Sequence, residues 1–397
     1  MSTVAEPYRF PLGEPDGLAL PPMYRKLLTD EPLARIRMAY GMDAWLVSRY
    51  DDAKVVLSDP RFSRAATRGG VDVPRPSPVL ADDVSMVSMD PPEHTRIRRL
   101  AAQAFSVRSV EALRPDVEKA VSDLLDVVQE QGPPVDLVPT LARALPLTVM
   151  CQLLGVPDSE TDDFRRIAHI LFSADYPAAE VEKAVADVIA YMSALVADRR
   201  RQPTDDLLGK LVKARDEGDR FNEQELVGLG LALLLGGYEN TANEIANFVA
   251  VLLADPAQLT LLRDDPSLIP AAVEELLRIV PIFLTGAFVR IALEDVRLSG
   301  GVVPKGDCVV VDLQFASRDP AKFERPDELD IFRKTNPHLT FGYGAHRCIG
   351  AELARVELQV VLTSLLARFP KLQPAGDVEF ASATGFIRGP KTLRVSW

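Results

Sequence analysis

The sequence contains few residues that cross-link a chain or coordinate a metal. It has three cysteines, far apart along 397 residues, and four histidines. An odd number of scattered cysteines does not form a disulfide framework, so we expect a reducing, cytoplasmic location. Lysine and arginine (45) are outnumbered by aspartate and glutamate (57). The chain therefore lacks the basic excess that binding to nucleic acid requires.

Long apolar runs are also absent. No stretch reaches the roughly eighteen consecutive apolar residues that a membrane-spanning helix needs. The first residues do not combine a basic stretch with an apolar run, as a secretory signal would. Hydrophobic residues make up 47% of the chain and charged residues 26%, the balance of a folded globular protein. We expect a soluble protein that does not span a membrane.

The pattern of the chain predicts one mainly α domain with a minor β part, spanning residues 1–397. Around Trp45 a short strand is expected to enter a helix, and helical patterns dominate from about 93 to 280. The segment VRLSGGVVPKGDCVVVDL predicts small β-hairpins. A last long helix is expected from Gly350 to Phe369. No repeat or linker divides the chain.

A long buried helix is predicted from Asn222 to about Leu253. Asn222 followed by Glu225 has the form of a capping box, with Phe221 as a hydrophobic staple. The following residues are apolar on every face up to Leu235, which indicates burial.

The middle of this helix carries Gly236, Gly237, Glu239 and Asn240. An interior glycine costs about 1 kcal/mol relative to alanine, and a buried acid costs more unless it is paired. One alternative is that the glycines only let another helix pack closely. That alternative does not account for the acid and the amide, so we interpret the segment as a deformable helix beside a small-molecule or cofactor site.

The segment FGYGAHRCIG, from Phe341 to Gly350, places glycines around Cys348 just before a helix. Glycines allow tight turns that bring N–H groups close to the sulfur. A helix N-terminus favours the thiolate, which is the form that binds metal. Lone cysteines are more often small buried hydrophobes, and this is our interpretation of Cys151 and Cys308.

This segment resembles the cysteine-ligand loop of the cytochrome P-450 family, Phe-Gly-x-Gly-x-His-x-Cys-x-Gly, at every fixed position. The resemblance implies that Cys348 is the thiolate ligand of the iron of haem b, and that Phe341 shields the sulfur. His346 would reach a haem propionate, and Gly350 completes the motif. It also implies the family's fold, a triangular helical prism with a long central helix over the haem and small β-sheets.

Other motifs follow in the family's order. DPPEHTRIRRL resembles the segment in which His94 and Arg98 bind the propionates, and Arg290 stands at the position of a third propionate-binding residue. The alternative for the first segment is a solvated basic helix start.

Glu275 and Arg278 resemble the family's Glu-x-x-Arg motif, which would tie its helix to the coil before the cysteine loop. The alternative is an ordinary ion pair on a helix surface. The usual third partner of the motif is unclear, because Glu328 stands where many relatives carry arginine.

The long helix resembles the family's oxygen-activating segment, Ala/Gly-Gly-x-Asp/Glu-Thr-Thr. The resemblance implies that O2 is activated beside Gly236 and Gly237, with Glu239 as the acid of the proton path. Asn240 replaces the usual threonine, and an amide is not a proton relay of comparable acidity. We therefore expect a rearranged water network, or help from a hydroxyl of the substrate. Thr241 lies one residue too late to substitute.

No flavin- or iron–sulfur-type segment is present, so electrons are expected from a ferredoxin and a flavoprotein reductase. Arg347, with Arg98 and Arg99, would form a basic patch for an acidic ferredoxin, unless these arginines are simply solvated or bound to propionates. The substrate pocket is expected to be mostly apolar. By position its residues are Val84 to Val87, Leu171 to Ala174, Leu233, Ile282, Phe283, Leu284, Thr285, Phe386 and Ile387.

Together these features predict a haem-thiolate monooxygenase. It would insert one oxygen atom from O2 into a largely hydrophobic small molecule by hydroxylation, epoxidation or oxidative coupling, in secondary-metabolite or antibiotic biosynthesis. One alternative is a haem-binding sensor or carrier without turnover, and another is a hydrolase with a cysteine nucleophile.

Overall fold

A computed structural model describes residues 6–13, 15–16, 18–69, 71–75, 86–102, 104–157, 160–172, 176–204, 206–216, 222–283, 288–380 and 387–397. Helices dominate it, which confirms the mainly α prediction. Contacts divide the chain into two compact units. The first unit is Met1–Asp82, Asn247–Cys348 and Val378–Lys391, and the second is Asp83–Ala246, Ile349–Asp377 and Thr392–Trp397. The single domain over residues 1–397 stays a prediction.

The helices of the described residues are α1 (Pro22–Asp30), α2 (Tyr50–Ser58), α3 (Glu93–Ala102), α4 (Val107–Gln131), α5 (Ala144–Leu154), α6 (Thr161–Phe172), α7 (Ala178–Arg201), α8 (Leu207–Asp216), α9 (Glu223–Ala254), α10 (Pro256–Asp264), α11 (Ile269–Ile279), α12 (Leu313–Ala316) and α13 (Ala351–Arg368). The long helix and the last helix thus lie where the sequence predicts them.

The strands of the described residues are β1 (Tyr8–Arg9), β2 (Leu33–Arg37), β3 (Ala44–Val47), β4 (Phe62–Ser63), β5 (Val135–Asp136), β6 (Arg290–Ala292), β7 (Val296–Leu298), β8 (Gly301–Val303), β9 (Cys308–Val311), β10 (Gln373–Pro374), β11 (Glu379–Phe380), β12 (Pro390–Thr392) and β13 (Arg394–Ser396). They form a six-stranded sheet in the order β1-β2-β3-β9-β6-β4, a three-stranded sheet β10-β13-β5, and the pairs β11-β12 and β7-β8.

The six-stranded sheet belongs to the first unit and corrects part of the hairpin prediction. β7 and β8 do form the expected antiparallel hairpin. However, β9 pairs in parallel with β3, from Ala44 opposite Cys308 to Val47 opposite Val311. All four residues of β9 are buried. Val309 and Val311 pack in one hydrophobic cluster and Cys308 in another. A run that is apolar at every position fits such a central strand, because both faces of the sheet are covered.

In the second unit, α13 packs along α4. The last strand, β13, is the central strand of the sheet β10-β13-β5. No single helix among the described residues is long and apolar enough to cross a membrane. The pair α9 and α10 reaches that length and composition together, but it is bent by 104° at the break between the helices.

Helix α13 buries a carboxyl group for which the described residues supply no ionic partner. Glu357 is 1% exposed, and its Oε2 accepts no hydrogen bond from any residue that the structure describes. Burial raises the pKa of this carboxyl to about 8. An acid kept neutral in this way makes the stability of the protein depend on pH.

We expect Glu357→Gln to flatten this dependence. The folded protein keeps the Glu357 proton up to about pH 8, whereas the ordinary pKa of the group is 4.5. The stability that proton binding confers is therefore complete below pH 4.5 and is lost as the pH rises to 8, at roughly 1 kcal/mol per pH unit. In urea unfolding, the variant should gain stability relative to the wild type between pH 5 and pH 8. Parallel curves for the two proteins would contradict this assignment.

Candidate functional site

The cysteine loop is built on two glycines in the left-handed region, Gly342 (φ 70°) and Gly344 (φ 72°). A Cβ at Gly344 would lie 2.7 Å from the carbonyl oxygen of Leu57, at the end of α2. Glycine is therefore required there both by backbone conformation and by space. The Cys348 N–H donates to the Phe341 carbonyl at 2.8 Å, which closes the loop.

Cys348 differs from the other two cysteines in its exposure. All three are free, but Cys151 and Cys308 are buried, whereas Cys348 is exposed. The interpretation of Cys151 and Cys308 as small core residues is confirmed. Among the described residues no group of three or more His, Cys, Asp or Glu side chains could hold a metal ion.

Two of the predicted propionate-binding residues lie in the first unit. Arg290 on β6 is 4% exposed, and its Nη2 lies 3.5 Å from the Leu57 carbonyl oxygen, the same carbonyl that Gly344 approaches. His346 is half-buried in the short turn of 3₁₀ helix before Cys348. The structure thus brings Arg290 and the cysteine loop to the same end of α2.

The other two lie in the second unit, on α3. His94 is 1% exposed and Arg98 is half-buried. Burial, together with the positive charge of Arg98, lowers the pKa of His94 to about 4. The imidazole is therefore neutral at neutral pH and has one N–H to donate, while Arg98 supplies the positive charge. This pair suits a carboxylate ligand, and its role at a propionate stays a prediction.

The Glu-x-x-Arg motif on α11 is a buried structural centre rather than a surface ion pair. Glu275 and Arg278 have side chains 1% and 0% exposed and lie 2.7 Å apart. Arg278 also donates to the carbonyl oxygens of Ser317, Pro326 and Glu328. These bonds fasten α11 to the coil that precedes the cysteine loop, as the sequence predicted.

The third partner of this motif is Arg333, which the sequence analysis missed. Its Nε donates to both carboxylate oxygens of Glu275, at 3.2 and 3.0 Å, and Asn336 adds a bond at 3.1 Å. Glu328 stands at the position where many relatives carry the third partner, an arginine. It contacts Arg278 only through its backbone carbonyl. The salt-bridge pattern is therefore complete, with the arginine at another position of the coil.

The capping box at the start of α9 is confirmed. Asn222 Oδ1 accepts from the Glu225 N–H, and Glu225 Oε2 accepts from the Asn222 N–H, each at 2.8 Å. Glu225 also pairs with Arg96 on α3. The proposed staple, Phe221, lies outside the described residues.

The polar residues in the middle of α9 pair along the helix. Asn243 Nδ2 donates to Glu239 Oε1 at 2.8 Å and to the Glu239 carbonyl at 2.9 Å. Burial raises the pKa of Glu239, although this bond and the charge of Arg143 oppose the rise. Asn240 donates from Nδ2 to the Gly236 carbonyl at 3.2 Å. Thr241 is buried. Sequence analysis missed Asn243, although its spacing of four from Glu239 was a signal for contact on one helix face.

The two glycines of this segment differ in their surroundings. A Cβ at Gly236 would meet nothing within 4 Å, whereas a Cβ at Gly237 would lie 2.5 Å from Met150 Sδ on α5. Gly237 therefore does serve close helix packing, which was the alternative explanation for both glycines. Gly236 instead faces open space, as expected beside a ligand site.

We expect Gly236→Ala and Gly237→Ala to have different effects on stability. Alanine in a helix interior is favoured over glycine by about 1 kcal/mol, so Gly236→Ala should raise the free energy of unfolding by about that amount. Gly237→Ala should gain less, or lose stability, because Met150 must move. Denaturant unfolding of the two variants measures this contrast. Equal gains in both would mean that the helix packs no more tightly at Gly237 than at Gly236.

The predicted pocket residues are only partly described. Leu233 is buried in the second unit, where Val87 and Leu171 are half-buried. In the first unit Ile282 is buried, and Phe283 and Ile387 form an isolated antiparallel bridge. The pocket as a whole stays a prediction. Outside the described residues lie Val84, Ser173, Ala174, Leu284, Thr285 and Phe386.

A polar contact that sequence analysis missed fixes this bridge. The Arg388 N–H donates to the Ile282 carbonyl at 2.8 Å, and its own carbonyl accepts from Asn247 Nδ2 at 2.9 Å. Asn247 lies on α9 and is 1% exposed. Asn247 thus ties the long helix to the backbone next to Ile387, at one side of the bridge.

Comparisons with known proteins agree with this geometry. The cytochrome P450 family model matches residues 31–397. The chain is 46% identical over 392 residues to nocardicin C N-oxygenase from Nocardia uniformis subsp. tsuyamanensis, covering 98% of each protein. It is 44% identical over 399 residues to mycinamicin IV hydroxylase/epoxidase from Micromonospora griseorubida, covering 100% of each.

A solved structure is similarly close. The LnmA cytochrome P450 hydroxylase from the leinamycin biosynthetic pathway of Streptomyces atroolivaceus superposes with a TM-score of 0.91 at 46% identity, covering 98% of this chain and 100% of that one. The fold is therefore the cytochrome P450 fold. Because the sequence and the structure both match over nearly the full length of the chain, the chain belongs to the cytochrome P450 family.

Proposed function

We propose that this P450 monooxygenase binds haem b through Cys348 and transfers one oxygen atom from O2 to a largely hydrophobic secondary metabolite. The observation that carries the proposal is the cysteine loop, whose glycines close a tight turn and leave the Cys348 side chain exposed. The relatives named above act as an N-oxygenase and as a hydroxylase/epoxidase. They support an enzyme rather than a haem carrier or sensor, and they give no support to a cysteine hydrolase.

The residues present fit a haem group. Cys348 is the one exposed cysteine, and the described residues contain no cluster that could hold a bare metal ion. The basic or hydrogen-bonding side chains proposed for the two propionates are His94, Arg98, Arg290 and His346. Gly236 faces open space on a helix that is mostly buried. A larger side chain at this position would extend into the space that the haem site needs. When bound, the haem supplies the activation of O2.

The residues of α9 hold and move protons in this proposal. The raised pKa of Glu239 keeps its carboxyl protonated to a higher pH than usual, so it can hold a proton near Asn240. Asn243 fixes one oxygen of that carboxyl. Because an amide does not relay protons as a hydroxyl does, Asn240 orients a hydrogen-bonded neighbour rather than passing the proton itself.

Electrons come from separate proteins in this proposal, a ferredoxin and a flavoprotein reductase. Arg347 is exposed beside Cys348, and Arg99 is exposed on α3. These arginines, with Arg98, are proposed to attract an acidic ferredoxin. A cytoplasmic location is part of the same proposal, supported by three cysteines that form no disulfide.

The spectrum of the reduced protein with carbon monoxide tests the proposal. A thiolate ligand gives a strongly red-shifted Soret band, so we expect that band in the purified protein after reduction. A band at the position typical of a histidine-ligated haem would overturn the assignment of Cys348. Consumption of O2 and reductant with a substrate then separates an enzyme from a carrier.

A further inference from the structure

The side-chain amide of Asn240 has a defined orientation. Its Nδ2 lies 3.2 Å from the carbonyl oxygen of Gly236, one turn earlier in α9. A carbonyl oxygen only accepts hydrogen bonds, so the NH2 end of the amide must face it. The Oδ1 end therefore points away from the helix backbone, and Asn240 offers its surroundings a hydrogen-bond acceptor.

That acceptor is not used by the part of the chain that the structure describes. Asn240 Oδ1 is buried and accepts no hydrogen bond there. The nearby amide of Asn243 has no free donor, because its Nδ2 already binds the carbonyl and the carboxylate of Glu239. A buried acceptor without a partner is costly and rare in native proteins.

Space for a partner lies on the same side of the helix. Residues four apart share one face of a helix, so Asn240 lies above Gly236. A Cβ at Gly236 would meet nothing within 4 Å, and this glycine is exposed, whereas its neighbours at 231–235 and 237–240 are half-buried or buried. On the adjoining position, Gly237 is covered by Met150. The unused acceptor therefore lies beside the open side of α9.

We propose that Asn240 Oδ1 binds a hydrogen-bond donor carried by the substrate, a hydroxyl or an N–H group. The proposal rests on the proposed function. It narrows the substrates to hydrophobic molecules that carry a hydroxyl or N–H group close to the position that is oxidised. A site with a buried acceptor rejects an analogue that lacks the donor, because the acceptor then stays unpaired.

Two variants of equal shape test the role of the acceptor. In Asn240→Thr the hydroxyl can donate to the Gly236 carbonyl, as helical threonines do, and its oxygen remains an acceptor. Asn240→Val has the same shape without either function. Any packing damage is therefore shared by the two variants, and only the acceptor distinguishes them.

The probes are ligand pairs that differ by one methyl group on the donor: borneol and bornyl methyl ether, 4-phenylphenol and 4-methoxybiphenyl, indole and 1-methylindole. Binding to the full-length haem-loaded protein is measured by calorimetry. We expect at least one donor-bearing ligand to bind the wild type and Asn240→Thr roughly tenfold more tightly than its methylated partner. Asn240→Val should lose this preference, while the threonine and valine variants bind the methylated partner with equal affinity.

The proposal fails if no pair shows a donor preference in the wild type, or if the preference is the same in the threonine and valine variants. In the second case Oδ1 serves only a water molecule. A crystal structure with the tightest donor ligand gives an independent readout, since the donor atom must lie within hydrogen-bonding distance of Asn240 Oδ1. Failure of the proposed function would show separately, as loss of the red-shifted Soret band in the wild type.

Discussion

Cys348→Ala should abolish the red-shifted Soret band of the reduced protein with carbon monoxide and reduce product formation to background. The described residues offer no other exposed cysteine, because Cys151 and Cys308 are buried. They also contain no cluster of His, Cys, Asp and Glu that could take over the metal. Alanine removes the sulfur but keeps the tight turn, whose conformation is set by Gly342 and Gly344.

The matched control is Cys151→Ala. Cys151 is 3% exposed on α5, so alanine there changes packing but not the proposed iron ligand. The control should keep the thiolate band, even if its midpoint of thermal unfolding falls. A red-shifted band that survives Cys348→Ala would show that the ligand is elsewhere.

Glu275→Gln should cause a large loss of stability. Glu275 accepts bonds from Arg278, Arg333 and Asn336 and from the backbone N–H of Asp330, and its side chain is 1% exposed. Removing its charge leaves two arginine side chains, 0% and 8% exposed, without the carboxylate that neutralises them. Breaking a buried ion pair in this way costs about 3–5 kcal/mol. Denaturant unfolding measures the effect.

The same substitution at an exposed pair gives the comparison. Glu328 binds Arg325 at 2.8 Å with the same spacing of three residues, but the two side chains are 59% and 56% exposed. Surface pairs contribute less than about 1 kcal/mol, so Glu328→Gln should have little effect. Similar losses in the two variants would mean that burial does not decide the energy of these pairs.

The features that sequence analysis predicted correctly depend on residues close together in the chain. The capping box joins Asn222 to Glu225, and the motif on α11 joins Glu275 to Arg278. Each can be recognised as a short sequence motif, because helix geometry determines which residues three or four positions apart are in contact. The tight turn of the cysteine loop is equally local, since its glycines and Cys348 lie within ten residues.

The features that were missed depend on chain segments far apart in sequence. Arg333 reaches Glu275 from a coil whose path no local pattern encodes. β9 pairs with β3, although more than 250 residues of the chain lie between the two strands. Parallel strands are not joined by a tight turn, so no turn signal in the sequence indicates their pairing. The bond from Asn247 to the Arg388 carbonyl is of the same kind. The β-type run in VRLSGGVVPKGDCVVVDL predicted a strand at β9, but the hairpin partner expected for it was wrong.

The six-stranded sheet bears on how the protein behaves at high concentration. Its two outermost strands, β1 and β4, are only two residues long. A short edge offers few unpaired N–H and C=O groups to a strand from another molecule. The longer, fully buried β9 is in the interior of the sheet, between β3 and β6. The six-stranded sheet is therefore a poor template for edge-to-edge pairing, and we expect fibre-like association through it only under conditions that unfold the first unit.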